Sequence, residues 1–218
     1  MMKFKPEMLK IYLVIGTQNV SNSEEKLLEI VEKACKSGVT TIQFREKDGS
    51  LLNYSEKVTL GKKIHEVTQR YEIPLFVDDD FELASAISAE GIHVGQSDER
   101  VFKIRQQNKN IMIGLSIHSL SDLAKSRLEL KDCDYVGIGP LFKTSSKSDA
   151  QFPIGMAKLE EIVQKVSLPT VAIGGINLTN ISQLKNSQIN GVAVISAITQ
   201  SSNIEATVQT LKRGGEND

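Results

Sequence analysis

The chain has 218 residues, and its 26 lysines and arginines nearly balance its 27 aspartates and glutamates, giving a net charge of −1. This length suits one large domain or two small ones, and the charge balance offers no general attraction for nucleic acid or an anionic membrane. No apolar segment approaches the ~20 residues of a membrane span, and the early apolar segment at residues 11–15 is too short for a signal peptide. Cys35 and Cys133 have no metal-binding spacing, which is typical of a reduced, cytoplasmic protein.

Short segments rich in valine and isoleucine alternate along the chain with amphipathic segments at helical spacing. Because most of the apolar segments do not alternate in polarity, they are typical of strands buried on both faces. Strands are predicted at residues 11–16, 39–43, 74–77, 91–94, 111–115, 135–139, 170–173 and 192–195. Helices are predicted at residues 24–36, 53–70, 81–88, 98–107, 121–130, 156–166, 178–186 and 204–213.

Eight strands in strict alternation with eight helices predict an α/β fold, a (β/α)8 TIM barrel. A doubly wound open sheet is the alternative. No linker is evident, so we expect a single domain over residues 1–218, with a core from about residue 10 to about residue 212 and a frayed tail at 213–218.

Barrel enzymes build their sites at the carboxyl ends of the strands. Every predicted strand except the first ends in polar or glycine-rich residues at that rim. These residues are Gln43, Arg45 and Lys47 after the second strand, then residues 78–80, residues 95–98, Ser116 and His118, residues 139–147, Gly174 and Gly175, and Ser196 and Ala197.

The rim after the second strand carries two cations. Side chains alternate faces along a strand, so Gln43, Arg45 and Lys47 are expected to share one face. Two converging cations and an amide suit an anion of more than one charge, such as a diphosphate. The alternative is a strand that runs out into a charged, solvated loop.

Two carboxylates on neighbouring strands form a candidate metal site. Asp79 and Asp98 follow the third and fourth strands, and adjacent strands lie about 4.8 Å apart, so both carboxylates could bind one Mg²⁺. Both could instead cap the helices that follow. Beside Arg45, Lys47 and Lys147, a magnesium–diphosphate site is the better interpretation.

The loops after the last two strands form a candidate phosphate site. In barrels these loops often bind a phosphate through backbone N–H groups, and the Gly174-Gly175 pair permits close approach. A tight turn without a ligand is the alternative. Two phosphate-binding regions on one rim would imply two phosphorylated substrates.

Together these segments make the chain resemble the thiamine phosphate synthase family. The matching segments lie in order from about residue 10 to about residue 212, nearly the whole chain. They are residues 43–47 (Gln-Phe-Arg-Glu-Lys), 77–84, 91–98, 114–116, 134–140, 144–149, 172–176 and 194–198.

The resemblance implies that a pyrimidine bearing a hydroxymethyl diphosphate is joined to a thiazole phosphate, releasing pyrophosphate. It implies small phosphorylated partners, with neither nucleic acid nor membrane, and leaves a homo-oligomer open. It implies pyrimidine diphosphate contacts from Gln43, Phe44, Arg45, Glu46, Lys47, Asp78, Ser116 and Lys147, of which Arg45, Lys47, Ser116 and Lys147 would be catalytic. It implies thiazole phosphate contacts from Thr144, Ser145, Ser146, Gly175, Ile195 and Ser196, and Mg²⁺ ligands at Asp79 and Asp98.

Two departures from the family pattern stand out: Asp78 replaces the usual asparagine, and Lys143 replaces the usual proline. An ionised carboxylate cannot donate to a diphosphate oxygen, so Asp78 should repel the leaving group unless it is protonated, points away or joins the metal shell.

Two other functions are open. A thiazole tautomerase of the same fold carries a histidine in the stretch of His118, and a non-catalytic thiamine-precursor-binding protein would have lost its chemistry through Asp78. His65 and His93 are interpreted as structural.

Overall fold

The computed structural model describes residues 2–47, 49–144, 146 and 152–215. The strands are β1 Ile11–Ile15, β2 Thr41–Phe44, β3 Leu75–Asp78, β4 Gly91–Val94, β5 Met112–Ile117, β6 Tyr135–Ile138, β7 Thr170–Ile173 and β8 Gly191–Val194. Each strand pairs in parallel with the next, and β8 pairs with β1 to close the barrel. The predicted TIM barrel is confirmed, and the open-sheet alternative is wrong.

The helices cover the outside of the barrel. They are α1 Glu24–Ser37, α2 Tyr54–Arg70, α3 Phe81–Ala86, α4 Val101–Gln107, α5 Leu120–Lys125, α6 Gly155–Val163, α7 Ser196–Thr199 and α8 Ile204–Gly215. Helix α8 continues to Gly215, and the remainder of the tail expected to fray lies outside the described residues. Within the part of the chain that is described, no helix is long and apolar enough to cross a membrane.

One predicted helix is wrong. Residues 178–186 contain only a 3-10 turn at Ile181–Leu184. The Asn177 side chain accepts hydrogen bonds from the backbone N–H and the hydroxyl of Thr179, at 2.8 and 2.6 Å. Such local bonds compete with helical ones, so the first predicted turn does not form.

Alternate strand residues form two separate apolar cores. The outer core lies between the strands and the helices. The inner core fills the barrel with Leu9, Tyr12, Val14, Phe76, Met112, Tyr135, Val171, Ala193 and Ile195. Phe4, from the segment before β1, stacks on Tyr135 with ring centroids 5.7 Å apart. These apolar side chains therefore fill the barrel interior below the cavity, and the polar residues lie at the rim formed by the carboxyl ends of the strands.

Glycine makes room for large polar side chains inside the barrel. A Cβ on Gly114 would collide with the ring of Tyr135 and with Nδ1 of His93. The missing side chain thus allows Tyr135 and His93 to meet across the barrel interior.

A partly buried ion pair links α2 to the β3–β4 connection. His65 Nε2 lies 2.9 Å from Glu90 Oε1, and the backbone N–H of Leu75 donates to Glu90 Oε2 at 2.9 Å. The hydrogen bond to Glu90 raises the pKa of His65 despite its partial burial. Burial alone would raise the pKa of Glu90, but the hydrogen bonds from His65 and Leu75 outweigh it and lower the pKa of that carboxyl. These contacts support a structural role for His65.

This pair predicts a pH-dependent stability. Because folding raises the pKa of His65, its protonated form stabilises the fold fully below about pH 6.5, and this contribution is lost as pH rises. Because folding lowers the pKa of Glu90, its ionised form stabilises the fold above about pH 4.5. We expect His65→Gln to lower the free energy of unfolding by about 1 kcal/mol more at pH 5.5 than at pH 8.5. Urea unfolding of both proteins at the two pH values measures this, and an equal loss at both would contradict it.

Candidate active site

A cavity of about 490 Å³ opens at the carboxyl ends of the strands, and residues from all eight strands or the loops that follow them line it. The predicted site residues that line it are Gln43, Arg45, Lys47, Asp78, Asp79, Asp98, Ser116, Thr144, Ser146, Gly175, Ile195 and Ser196. Residues from the seven separate segments predicted to form the rim thus line one cavity.

Two of the predicted residues turn their side chains away from this cavity. Phe44 is 1% exposed and belongs to the outer core. Glu46 accepts hydrogen bonds from Thr17, from its backbone N–H at 2.6 Å and its hydroxyl at 2.8 Å. The expected substrate contact is therefore corrected for both side chains, since strand alternation directs them outward. Ser145 and Lys147 lie outside the described residues, so their assignments stay predictions.

A cluster of opposite charges joins the ends of β2 and β3. Nε of Arg45 lies 3.1 Å from Oδ2 of Asp78, with side-chain exposures of 3% and 7%. The ammonium of Lys47 lies 3.7 Å from the same Asp78 oxygen and pairs with the Asp79 carboxylate. Asp78 thus faces the two cations that were expected to hold a diphosphate, and it offsets part of their charge.

The helix cap after β3 is Asp80. Its Oδ1 accepts a hydrogen bond from the backbone N–H of Leu83 at 2.8 Å. Asp79 instead adopts a left-handed backbone with φ of 60°, and its backbone N–H donates to the carbonyl of His93. Its carboxylate is consequently directed to Lys47 and the cavity, so the capping alternative is wrong for Asp79.

Asp98 closes a loop after β4. Its Oδ2 accepts a hydrogen bond from the backbone N–H of Gly95 at 2.7 Å, whereas Arg100 occupies the cap position of α4. Both Asp79 and Asp98 line the cavity. Among the residues that are described, no three histidine, cysteine or acidic side chains are grouped for a metal. A cation here would take two carboxylates and complete its shell with water and phosphate oxygens, which is the shell that Mg²⁺ prefers.

A chain of hydrogen bonds crosses the cavity floor and joins five strands. Gln43 Nε2 donates to the Tyr12 hydroxyl at 3.0 Å, which lies 2.9 Å from the Tyr135 hydroxyl. The Tyr135 hydroxyl lies 2.9 Å from His93 Nδ1, and His93 Nε2 lies 2.8 Å from the Ser116 hydroxyl. Burial raises the pKa of both phenols, so each keeps its proton.

The Gln43 amide favours one direction for this chain. Because it donates to Tyr12, it is compatible with phenols that pass their hydrogens onward to His93 Nδ1 and with a His93 Nε2–H that donates to Ser116. The sequence analysis interpreted His93 as structural and did not single out the two tyrosines, and all three line the cavity. Their inward position on the strands is the signal that could have found them.

The opposite side of the cavity presents hydroxyl groups and glycine backbone. The Ser146 hydroxyl donates to that of Ser196 at 3.3 Å, and the Ser146 N–H donates to the Thr144 hydroxyl at 3.1 Å. Gly175 has φ of 67°, and a Cβ there would lie 2.6 Å from the Lys143 carbonyl oxygen. The β6 and β7 loops therefore touch at a position that requires glycine. Hydroxyls and close backbone suit a phosphate group.

His118 also lines the cavity. Its Nδ1 contacts the carbonyl oxygen of Gly139, and its backbone N–H donates to Asp122 at 3.1 Å. A carbonyl oxygen can only accept a hydrogen bond, so Nδ1 of His118 carries a hydrogen. The other ring nitrogen, Nε2, is not used in this contact.

Comparison with known proteins gives a consistent result. A family model described as thiamine monophosphate synthase matches residues 11–198. The thiamine-phosphate synthase of Pediococcus pentosaceus is 43% identical over 213 residues, covering 97% of this chain and 98% of the relative. A solved thiamine phosphate pyrophosphorylase from Pyrococcus furiosus has a TM-score of 0.83 at 29% identity, with 96% of each chain covered.

A more distant structure shares the fold alone. The (S)-3-O-geranylgeranylglyceryl phosphate synthase of Thermoplasma acidophilum has a TM-score of 0.66 at 11% identity, with 99% of each chain covered. The family match spans all eight strands and includes Arg45, Asp79 and Asp98, which follow β2, β3 and β4. The chain belongs to the thiamine monophosphate synthase family.

Proposed function

We propose that this protein is a thiamine-phosphate synthase, a transferase that joins a pyrimidine bearing a hydroxymethyl diphosphate to a thiazole phosphate. The observation that carries the proposal is that one cavity holds Arg45 and Lys47 beside Asp79 and Asp98, with a hydroxyl-lined pocket at Ser196 opposite. Two anion-binding regions on one rim suit two phosphorylated substrates. A cytoplasmic setting fits the two free, buried cysteines.

The reaction breaks a carbon–oxygen bond and forms a carbon–nitrogen bond. The diphosphate leaves with the bonding electron pair, and the thiazole nitrogen supplies a new pair to the pyrimidine methylene carbon. Negative charge grows on the leaving group, so cations already in place stabilise the transition state more than the ground state. Arg45 and Lys47 fill this role at the end of β2, and Lys147 would add to it. No general base is needed.

Asp79 and Asp98 would hold Mg²⁺ at this rim. Their oxygen donors are the hard ligands that Mg²⁺ prefers, and the ion, when bound, would neutralise charge on the diphosphate. Thr144, Ser146, Gly175, Ile195 and Ser196 would hold the thiazole phosphate, together with Ser145. Ser116 would donate its hydroxyl hydrogen to the pyrimidine substrate.

The hydrogen-bond chain predicts an effect of Tyr135→Phe. This variant keeps the ring but removes the hydroxyl that contacts His93 Nδ1, so that the neutral imidazole can carry its hydrogen on Nδ1 and stop donating from Nε2 to Ser116. We expect kcat/KM for the pyrimidine diphosphate to fall about 10-fold. Steady-state rates of the folded variant measure it, and an unchanged kcat/KM would contradict it.

The pairing of Asp78 with Arg45 predicts that Asp78→Asn retains or improves activity. The amide oxygen can stay beside Arg45, while the NH2 group can donate to the diphosphate. We expect KM for the pyrimidine diphosphate to fall several-fold and the Mg²⁺ requirement to fall with it. Initial rates over a Mg²⁺ titration measure both.

Asp80→Asn is the matched control for this variant. It makes the same change two residues away, and asparagine caps a helix as well as aspartate does, so kinetics should stay as in the wild type. A large loss of activity in folded Asp78→Asn would show that the carboxylate itself is used.

One assay tests the proposed function. The protein is mixed with pyrimidine diphosphate, thiazole phosphate and Mg²⁺, and oxidation makes any thiamine phosphate fluorescent. We expect product only when both substrates and the metal are present, with none after EDTA. Conversion of a thiazole phosphate alone would indicate a tautomerase. Binding of both substrates without product, in the wild type and in Asp78→Asn, would indicate a non-catalytic binding protein.

A further inference from the structure

We propose that Lys47 and a divalent cation compete for the Asp79 carboxylate, and that metal binding there releases Lys47 to the diphosphate. This inference rests on the proposed metal site. It adds an order to the site: the same carboxylate serves first the lysine and then the metal.

The contacts of Asp79 carry this inference. Its carboxylate pairs with the ammonium of Lys47, although a helix begins two residues later and Asp80 performs the capping. The left-handed backbone of Asp79 directs the carboxylate to the cavity, where Asp98 also lies. We therefore interpret the Asp79 carboxylate as a metal ligand that is paired with the Lys47 ammonium.

The two cations of the cluster differ in how firmly they are held. Arg45 is 3% exposed and lies 3.1 Å from Asp78 through its Nε atom. Lys47 is 36% exposed and carries its charge on a flexible four-carbon stem, so its ammonium can move without repacking the core. Lys47 is therefore the cation that can change partners.

The charges explain why the exchange couples metal and diphosphate. When all groups are ionised, the described part of the cluster has a net charge of −1, from three aspartates (Asp78, Asp79 and Asp98) and two cations (Arg45 and Lys47). This negative charge does not favour an anion. A divalent cation reverses that sign and frees one ammonium. Metal and diphosphate should then bind cooperatively, and the coupling should be reciprocal.

Direct binding of Mn²⁺ tests the exchange without any turnover. The electron paramagnetic resonance signal of free Mn²⁺ gives its Kd for wild type and for Lys47→Met, each with and without pyrophosphate. We expect Lys47→Met to bind Mn²⁺ about 10-fold more tightly without pyrophosphate. We also expect pyrophosphate to tighten Mn²⁺ binding at least 10-fold in the wild type but several-fold less in the variant.

Lys63→Met is the matched control, because it removes the same charge from an exposed lysine that pairs with Glu24 on the outer helices. It should leave the Kd for Mn²⁺ unchanged. Equal Kd values for wild type and Lys47→Met would overturn the exchange and leave the metal site standing. Absence of Mn²⁺ binding in both proteins, with and without pyrophosphate, would overturn the metal site and the exchange together.

Discussion

Replacing Arg45 with methionine should lower kcat/KM for the pyrimidine diphosphate by roughly 10²–10³-fold, the range seen when one fixed donor to a developing anion is lost. Arg45 is almost fully buried at the end of β2, where it lies against Asp78 and lines the cavity. Methionine fills similar space without the charge. The substitution also leaves Asp78 with weaker compensation, so we expect a loss of about 3 kcal/mol in the free energy of unfolding. Steady-state kinetics and urea unfolding measure the two effects.

A double variant separates catalysis from folding. Arg45→Met combined with Asp78→Leu removes both charges of the buried pair, which should restore most of the lost stability. Activity should stay low, because the cation proposed to stabilise the leaving diphosphate is still missing. Recovery of activity together with stability would contradict a direct role for Arg45 and reduce it to a structural one.

Replacing Asp98 with asparagine should have a comparable effect on activity by a different route. The amide oxygen can still accept the hydrogen bond from the Gly95 N–H, so the loop after β4 should keep its shape. The substitution removes the charge of one of the two proposed metal ligands, and we expect a loss of roughly 10²-fold in kcat/KM at low Mg²⁺, partly recovered at high Mg²⁺. Initial rates over a Mg²⁺ titration measure it. An unchanged Mg²⁺ dependence would contradict the metal assignment.

Periodicity predicted the barrel because each strand is buried on both faces and its apolar segment is therefore continuous. Alternation also predicted that Gln43, Arg45 and Lys47 share a face, and all three line the cavity. The same alternation directs the side chains of Phe44 and Glu46 away from the cavity. Both were expected to contact substrate because of the family resemblance, not because of strand geometry. The helix expected at residues 178–186 failed because Asn177 forms local bonds that periodicity does not register.

The remaining features of the site depend on contacts between residues distant in sequence. Tyr12 and Tyr135 are 123 residues apart and meet only because the barrel closes. The pairing of Asp78 with Arg45, and of Asp79 with Lys47, depends on the register of β2 and β3 and on one left-handed residue. Composition and spacing identify these residue types but do not determine their partners.

The most direct test of the account is a crystal structure of the protein with Mn²⁺ and pyrophosphate, in which anomalous scattering locates the metal. We expect Mn²⁺ bound by Asp79 and Asp98, pyrophosphate against Gln43 and Arg45, and the Lys47 ammonium moved from Asp79 to a pyrophosphate oxygen. Pyrophosphate bound only beside Gly175 and Ser196, or Mn²⁺ away from both carboxylates, would contradict the account.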